Sequence, residues 1–360
     1  LQGAIPADQL APILVNLEEM RRSLFTADAW RSFFVIVIGC VLLGGYLFRK
    51  WNAKVTVGAL LLLCIVDMWS VNKRYLHDEQ SVAKGTEMKP FLEPSETDKE
   101  ILKDKTLDYR VLNMATNTFN ENNTAYWHKS IGGYHAAKLR RYQEMIEAHI
   151  QGEMEMLFTK IPEVGADLSK IDVTDTPVLD MLNTRYYIVS LQQGATAPLF
   201  NPHALGNAWL VKEVKYVNNA NEEIDAIHGM NPRETAIVDK RFAETVKQPA
   251  AMPDSLDNIV LKSYAPNALQ YEVDTKQGGT VVFSEIYYPG WRSYIDGEEV
   301  SHGRANYILR AMNVPAGKHT IEFVFDPQSL HATETIAFIA LGIMLLGALG
   351  AIVMGLRKTK

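Results

Sequence analysis

Residues 335–356, TIAFIALGIMLLGALGAIVMGL, run for 22 positions without a charged side chain. At about 1.5 Å of rise per residue, a helix of that length crosses the roughly 30 Å hydrocarbon layer of a bilayer. Two further runs resemble it: SFFVIVIGCVLLGGYLF (Ser32–Phe48) and VTVGALLLLCIVDMWSV (Val55–Val71), each 17 residues long. Seventeen is the short end for a span, and a buried helix of a soluble protein could reach it. Three such runs flanked by Arg and Lys instead predict three membrane helices.

The flanks predict an orientation. The loop after the first run carries Arg49, Lys50 and Lys54, and the tail after the third carries Arg357, Lys358 and Lys360, neither with an acidic residue. Three crossings put these two ends on one side, the cytoplasmic one, because basic residues stay inside. The long segment from Asn72 to Glu334 is then extracytoplasmic; Lys73 and Arg74 sit against the rule. A net charge of -6 argues against a nucleic-acid partner. Both cysteines, Cys40 and Cys64, fall inside membrane helices, so the outer part has no disulfide. The chain opens without Met or a signal-peptide pattern, which suggests the carboxyl-terminal piece of a longer membrane protein.

Residues 1–30 place Leu10, Leu14, Leu17 and Leu24 near helical spacing and predict an amphipathic helix at the outer interface, ahead of two membrane helices within 31–71. Residues 72–255 predict a mixed α/β region. It opens on a charged linker with Pro90 and Pro94, then holds an amphipathic helix over Ala136–Leu157, a proline-started helix at Pro177 and strands such as AWLVKEVKYV (Ala208–Val217). Residues 256–328 change character. IVLKSY, ALQYEVD, GTVVFSEIYY, WRSYID, NYILRAM and HTIEFVF are separated by Pro-Asn, Gly-Gly, Pro-Gly, Asp-Gly and Pro-Ala-Gly turns, which predicts a membrane-proximal β-sandwich. The last helix, 335–356, is followed by a basic tail, 357–360. The fold class is thus membrane α-helical plus α+β.

Candidate site residues come in two groups. In YWHKSIGGYHAAKLRRYQ (Tyr126–Gln143), a Gly-Gly pair precedes a helix, and Lys129, Lys138, Arg140 and Arg141 gather where a helix dipole would prefer acids. A phosphate or pyrophosphate contact accounts for that placement; so do solvated helix charges. His128 and His135 are seven apart, which is no metal-ligand spacing, so no metal is predicted and either is a hydrogen-bonding contact or a general base. In SEIYYPGWRSYIDGEEV (Ser284–Val300), strand alternation sends Tyr287 and Tyr288 to opposite faces, so some aromatics must be core. Trp291 and Tyr288 are either packing residues or sugar-stacking faces. Asp67, inside the second membrane helix, calls for a partner. No phosphate-binding loop, dinucleotide fingerprint, nucleophile elbow or zinc spacing is present.

HKSIGGYHAAKLRRYQ (His128–Gln143), VLDMLNTRYYIV (Val178–Val189), EIYYPGWRSYIDGEEV (Glu285–Val300) and RANYILRAMNVPAGKHTIEF (Arg304–Phe323), followed by a membrane helix, resemble the carboxyl-terminal part of bacterial YfhO-like membrane proteins. The resemblance implies a multi-pass protein of the bacterial cytoplasmic membrane akin to GT-C glycosyltransferases. These use a polyprenyl-phosphate-linked sugar on the outer face and carry their catalytic carboxylate in the first outer loop. That loop has no counterpart here, so no catalytic residue is carried over, this piece alone is expected to be inactive, and no cofactor is expected on it. The implied partners are the lipid bilayer, further amino-terminal membrane helices, the lipid-linked sugar donor and an envelope glycan. On this expectation Lys129, Lys138, Arg140 and Arg141 meet phosphate, and Tyr288, Trp291 and Arg304 meet sugar. The alternative is a non-enzymatic membrane protein that binds envelope polysaccharide or helps its export, or a scaffold.

Overall fold

The structure, a computed structural model, describes residues 7–75, 93–164, 168, 171–191 and 194–358. The chain divides into two compact units, 1–89 and 90–360. Most of the expected charged linker, residues 76–92, lies outside the described residues.

In the first unit, helix α1 (Ala7–Leu47) and helix α2 (Ala53–Tyr75) are both long and apolar enough to cross a membrane. The interfacial helix expected over residues 1–30 is not separate: from Ala7 onward it continues without a break into the membrane run. The reason lies in the sequence, since no Gly or Pro falls between Pro12 and Gly39 to stop a helix that has started. Most of the described apolar side chains on these helices are exposed, Ile36 at 64% and Leu62 at 62%, as helices that meet lipid would present them.

The second unit starts with helix α3 (Glu96–Ile101), whose Ser95 and Asp98 cap each other's backbone amides in a reciprocal capping box. Strands β1 (Arg110–Asn113), β2 (Lys129–Ser130), β3 (Thr184–Ser190) and β4 (Thr196–Phe200) form one sheet in the order β2-β1-β3-β4, with β1 parallel to both neighbours. The expected amphipathic helix is present as α4 (Arg140–Met145), a π-turn over Ile146–Ile150 and α5 (Gln151–Val164). It begins later than Ala136, and its Ile146, Ile150 and Leu157 are buried as the spacing predicts. A short helix α6 (Pro177–Met181) leads into β3.

The predicted strand over Ala208–Val217 is in fact two. Strand β5 (Ala208–Val211) and strand β6 (Glu213–Val217) part at Lys212, and β6 pairs in parallel with β7 (Thr235–Asp239) across helix α7 (Ala220–Asp225). The remaining strands are β8 (Asn258–Ala265), β9 (Ala268–Thr275), β10 (Gly279–Ile286), β11 (Trp291–Ile295), β12 (Glu298–Glu299), β13 (Gly303–Ala305), β14 (Leu309–Val314) and β15 (Gly317–Phe325). They make two sheets, β13-β14-β10-β5 and β12-β11-β15-β9-β8. Tyr271, Phe283 and Phe323, all buried, meet edge to face between these sheets, with Phe283 and Phe323 centroids 4.9 Å apart.

The boundary expected at residue 256 does not divide the unit, because β5 hydrogen-bonds to β10. The sheet β13-β14-β10-β5 is buried on both faces. Val281, Phe283 and Met312 point into the aromatic core, while Val282, Leu309 and Ala311 join the core built by α4, α5, α6 and β3. This two-sided burial explains why GTVVFS reads as a continuous apolar run rather than an alternating one. Helix α8 (Gln328–Lys358) leaves after Asp326 and Pro327, and is the third helix able to cross a membrane. Thr359 and Lys360 of the basic tail lie outside the described residues.

Candidate functional site

The four cations expected to meet phosphate are each engaged within the protein. Lys129 pairs with the buried carboxylate of Asp108 and lies over the Tyr264 ring. Arg140 donates to Glu144 at 2.8 Å. Arg141 reaches the fully buried Glu223 at 3.4 Å and stacks 4.4 Å above Tyr307. Lys138 sits 5.4 Å over Phe119. The Gly-Gly turn does not hold free amides for an anion either. Gly132 N–H donates to Ser130 Oγ, Gly133 N–H to the Thr118 carbonyl and Tyr134 N–H to Asn122. Its role is steric: a Cβ at Gly132 would lie 2.1 Å from the Thr118 carbonyl oxygen, so only glycine lets the two backbones cross.

His128 is buried, and its Nε2 meets Asp98 at 2.9 Å, which ties the strand region to the cap of α3. His135 Nδ1 accepts the Ala137 N–H and closes a turn. Among the described residues, no group of three His, Cys, Asp or Glu side chains could hold a metal ion. Asp67 has a partner on α1, Arg31, at 3.5 Å, and Asp28 pairs with Arg74 at 2.5 Å, so two ion pairs join α1 to α2.

Arg304 corrects the glycan expectation most directly. Its side chain is 7% exposed and is held by Glu223 at 2.8 Å and Asp239 at 3.8 Å, so it faces inward. Asn306 and Tyr307 take consecutive left-handed conformations, φ 48° and 70°, and turn the chain so that Asn306 docks on β7. Asn306 N–H donates to the Ile237 carbonyl, and its Oδ1 accepts the Ile237 N–H. The Tyr307 hydroxyl donates to Glu144, and burial pushes its pKa up to about 12. Trp291 is half-buried, with the Arg310 guanidinium 4.0 Å over one face of its ring and Phe325 5.4 Å away at a tilt. Tyr288 is 45% exposed and shares Phe325 with Trp291, whereas Arg304 lies over Phe242. The three expected glycan contacts are not brought together.

Two buried networks were not read from the sequence. Arg110 donates to the Leu182 carbonyl, to Ser284 and to Glu285 at 2.9, 2.9 and 3.1 Å, clamping β1 onto β10. Burial outweighs Arg110 and holds the Glu285 carboxyl above the usual range, while it pulls Arg310 down to about 10. In the second network, Glu153 accepts the Val178 and Leu179 N–H groups at the start of α6, at 2.8 and 2.9 Å. Burial pushes Glu153 up to about 8 against those two hydrogen bonds. The available signal for the first was an Arg and a Glu, Arg110 and Glu285, placed within strings of β-formers.

A polar concave surface lies on the outward face of the five-stranded sheet. A cavity of about 540 Å³ is lined there by Asn258, Lys262, Glu272, Asp274, Lys318 and His319, among others. Lys262 pairs with Glu272 at 3.0 Å, Lys318 with Asp274 at 3.5 Å, and His319 with Asp296 at 2.6 Å. Such a row of exposed donors and acceptors suits hydroxyl groups, which both give and take hydrogen bonds, better than it suits a single anion.

Three helices of membrane-crossing length with a large sheet-rich α+β part define a membrane protein of mixed architecture. Residues 244–337, most of the two-sheet body and the start of α8, match the family model described as bacterial membrane protein YfhO, and the chain is YfhO-like over that stretch. No curated protein and no solved structure matches the chain.

Proposed function

We propose that this chain is the membrane-anchored, extracytoplasmic portion of an envelope glycosyltransferase that uses a polyprenyl-phosphate-linked sugar, and that its sheet-rich body holds the acceptor glycan. The observation that carries this reading is the polar cleft on the outer sheet, built within the YfhO-matched segment and set on a membrane helix two residues after β15. Asn258 and Lys318 would donate to sugar oxygens, and Glu272 and Asp274 would accept from hydroxyls. The catalytic carboxylate is not placed in this body.

A second reading, binding or export of envelope polysaccharide without transfer, is favoured by one specific feature. Three of the four candidate phosphate-binding cations are already neutralised by Asp108, Glu144 and Glu223. Two measurements on the membrane-embedded full-length protein separate the readings: transfer of labelled sugar from polyprenyl-phosphate donors, and binding of envelope oligosaccharides to the parent and to a K318A/E272A variant. Transfer that falls in the variant supports the enzyme. Binding that falls in the variant without any transfer supports the second reading, and a variant that matches the parent in both assays removes the cleft from either.

A further inference from the structure

The turn Tyr288-Pro289-Gly290-Trp291 is the sequence feature that the cleft leaves unused, and its surroundings point to a different partner. Gly290 sits at φ 100°, and a Cβ there would lie 3.0 Å from Pro327 and 3.1 Å from the Phe325 ring. The Asp326 N–H donates to the Gly290 carbonyl at 2.9 Å, and Asp326 in turn meets His331, in the first turn of α8, at 2.6 Å. The turn is therefore fastened to the two residues that lead into a membrane-crossing helix. Tyr288 is 45% exposed and lies 6.2 Å from Phe325, itself only partly covered. No charged residue occurs between Tyr287 and Trp291.

The level of this turn follows from the helix. The uncharged run begins at Thr335, seven residues after the helix start at Gln328, or about 10 Å of rise. The headgroup layer occupies roughly 5–8 Å on each side of the hydrocarbon, so an upright helix holds its start about 2–5 Å above that layer, a gap that helix tilt narrows. Tyr and Trp are the side chains that settle in that layer, with the ring toward the acyl boundary and the polar edge toward water.

We propose that the Tyr288–Trp291 turn, with Phe325, is a bilayer-contacting surface that rests the two-sheet body among the lipid headgroups and fixes how it stands on the membrane. The face of Trp291 covered by Arg310 belongs to the interior, and the lipid meets Tyr288, Pro289 and the uncovered edges of Trp291 and Phe325. This proposal does not depend on a glycan in the outer cleft.

The test is spin-label accessibility in the full chain reconstituted into phosphatidylethanolamine/phosphatidylglycerol vesicles. Cys40 and Cys64 are replaced by Ala, and single labels are placed through P289C on the turn and E298C on the exposed hairpin at the far end of β11. The expected result is an oxygen-to-nickel-chelate accessibility ratio several-fold higher at 289 than at 298, falling to the value at 298 when Y288S and W291S are added. Equal, water-like ratios at both sites overturn the proposal. So does a water-like ratio at 289 that changes on adding envelope oligosaccharide, which assigns the turn to glycan. A ratio at 289 that stays high in the Y288S/W291S variant also overturns it, because the tether alone then accounts for the depth. Should P289C disturb the turn, N267C reads the same level, since the Asn267 carbonyl accepts the Phe325 N–H at 2.9 Å.

Discussion

Replacing Glu223 by Gln removes one negative charge from the interior while keeping shape and an acceptor oxygen. Glu223 is fully buried; its Oε2 takes Arg304 at 2.8 Å and Arg141 at 3.4 Å, and its Oε1 takes the Tyr307 N–H at 3.2 Å. In E223Q the amide oxygen still satisfies Tyr307, but Arg304, 7% exposed, keeps only Asp239 at 3.8 Å. Breaking a buried ion pair from one side costs about 3–5 kcal/mol, because the remaining charge is left desolvated. The substitute partner Asp239 places the expected loss at the lower end, about 3 kcal/mol. For a body of this size that is a fall in Tm of roughly 6–12 °C. Thermal unfolding in detergent, followed by near-ultraviolet circular dichroism, measures it. The double variant E223Q/R304M, which removes both charges and keeps an acceptor for the Tyr307 N–H, should recover most of the loss. An E223Q loss below about 1 kcal/mol, the scale of a solvent-exposed pair, would refute the reasoning that Glu223 locks α7 and β13 together.

Glu153 gives a pH dependence with a definite sign. Its carboxyl is raised from 4.5 to about 8 in the folded state, so between those values the native protein holds a proton that the unfolded chain has lost. Stability therefore declines as pH rises from 4.5 to 8, by about 5 kcal/mol, and levels off above. E153Q should flatten that decline in urea titrations at several pH values. Gly132→Ala forces the Thr118 backbone aside and should cost about 2–3 kcal/mol by the same titration. In the first unit, D67N leaves Arg31 with Asp28 at 3.9 Å and should weaken the α1–α2 hairpin by about 1 kcal/mol, read by unfolding in mixed micelles.

The membrane helices were legible because solvent dictates them: a long uncharged run has one structural outcome in lipid. The strands of the two-sheet body were legible for a similar local reason, since Asp-Gly and Pro-Gly turns punctuate alternating residues such as Ile321, Phe323 and Phe325. What could not be read was set by distant partners. Nothing near Val211 says that β5 will pair with β10, and nothing near Arg304 says that a carboxylate 81 positions earlier will draw it inward. For the cluster of Lys129, Lys138, Arg140 and Arg141 the distance matters in part: Asp108 and Glu223, which pair with Lys129 and Arg141, lie far along the chain, whereas Glu144 is a local neighbour of Arg140. The amphipathic start of α1 failed differently, since helical periodicity does not reveal whether one helix ends before the next begins.

The placement of the sheet-rich body outside the cytoplasm is tested most directly by cysteine labelling in spheroplasts that carry the full-length protein. Lys262→Cys on the outer sheet should react with a membrane-impermeant maleimide in intact spheroplasts, and Lys50→Cys only after permeabilisation. A residue 262 thiol that stays protected until the membrane is opened, with residue 50 labelled from outside, would contradict the account.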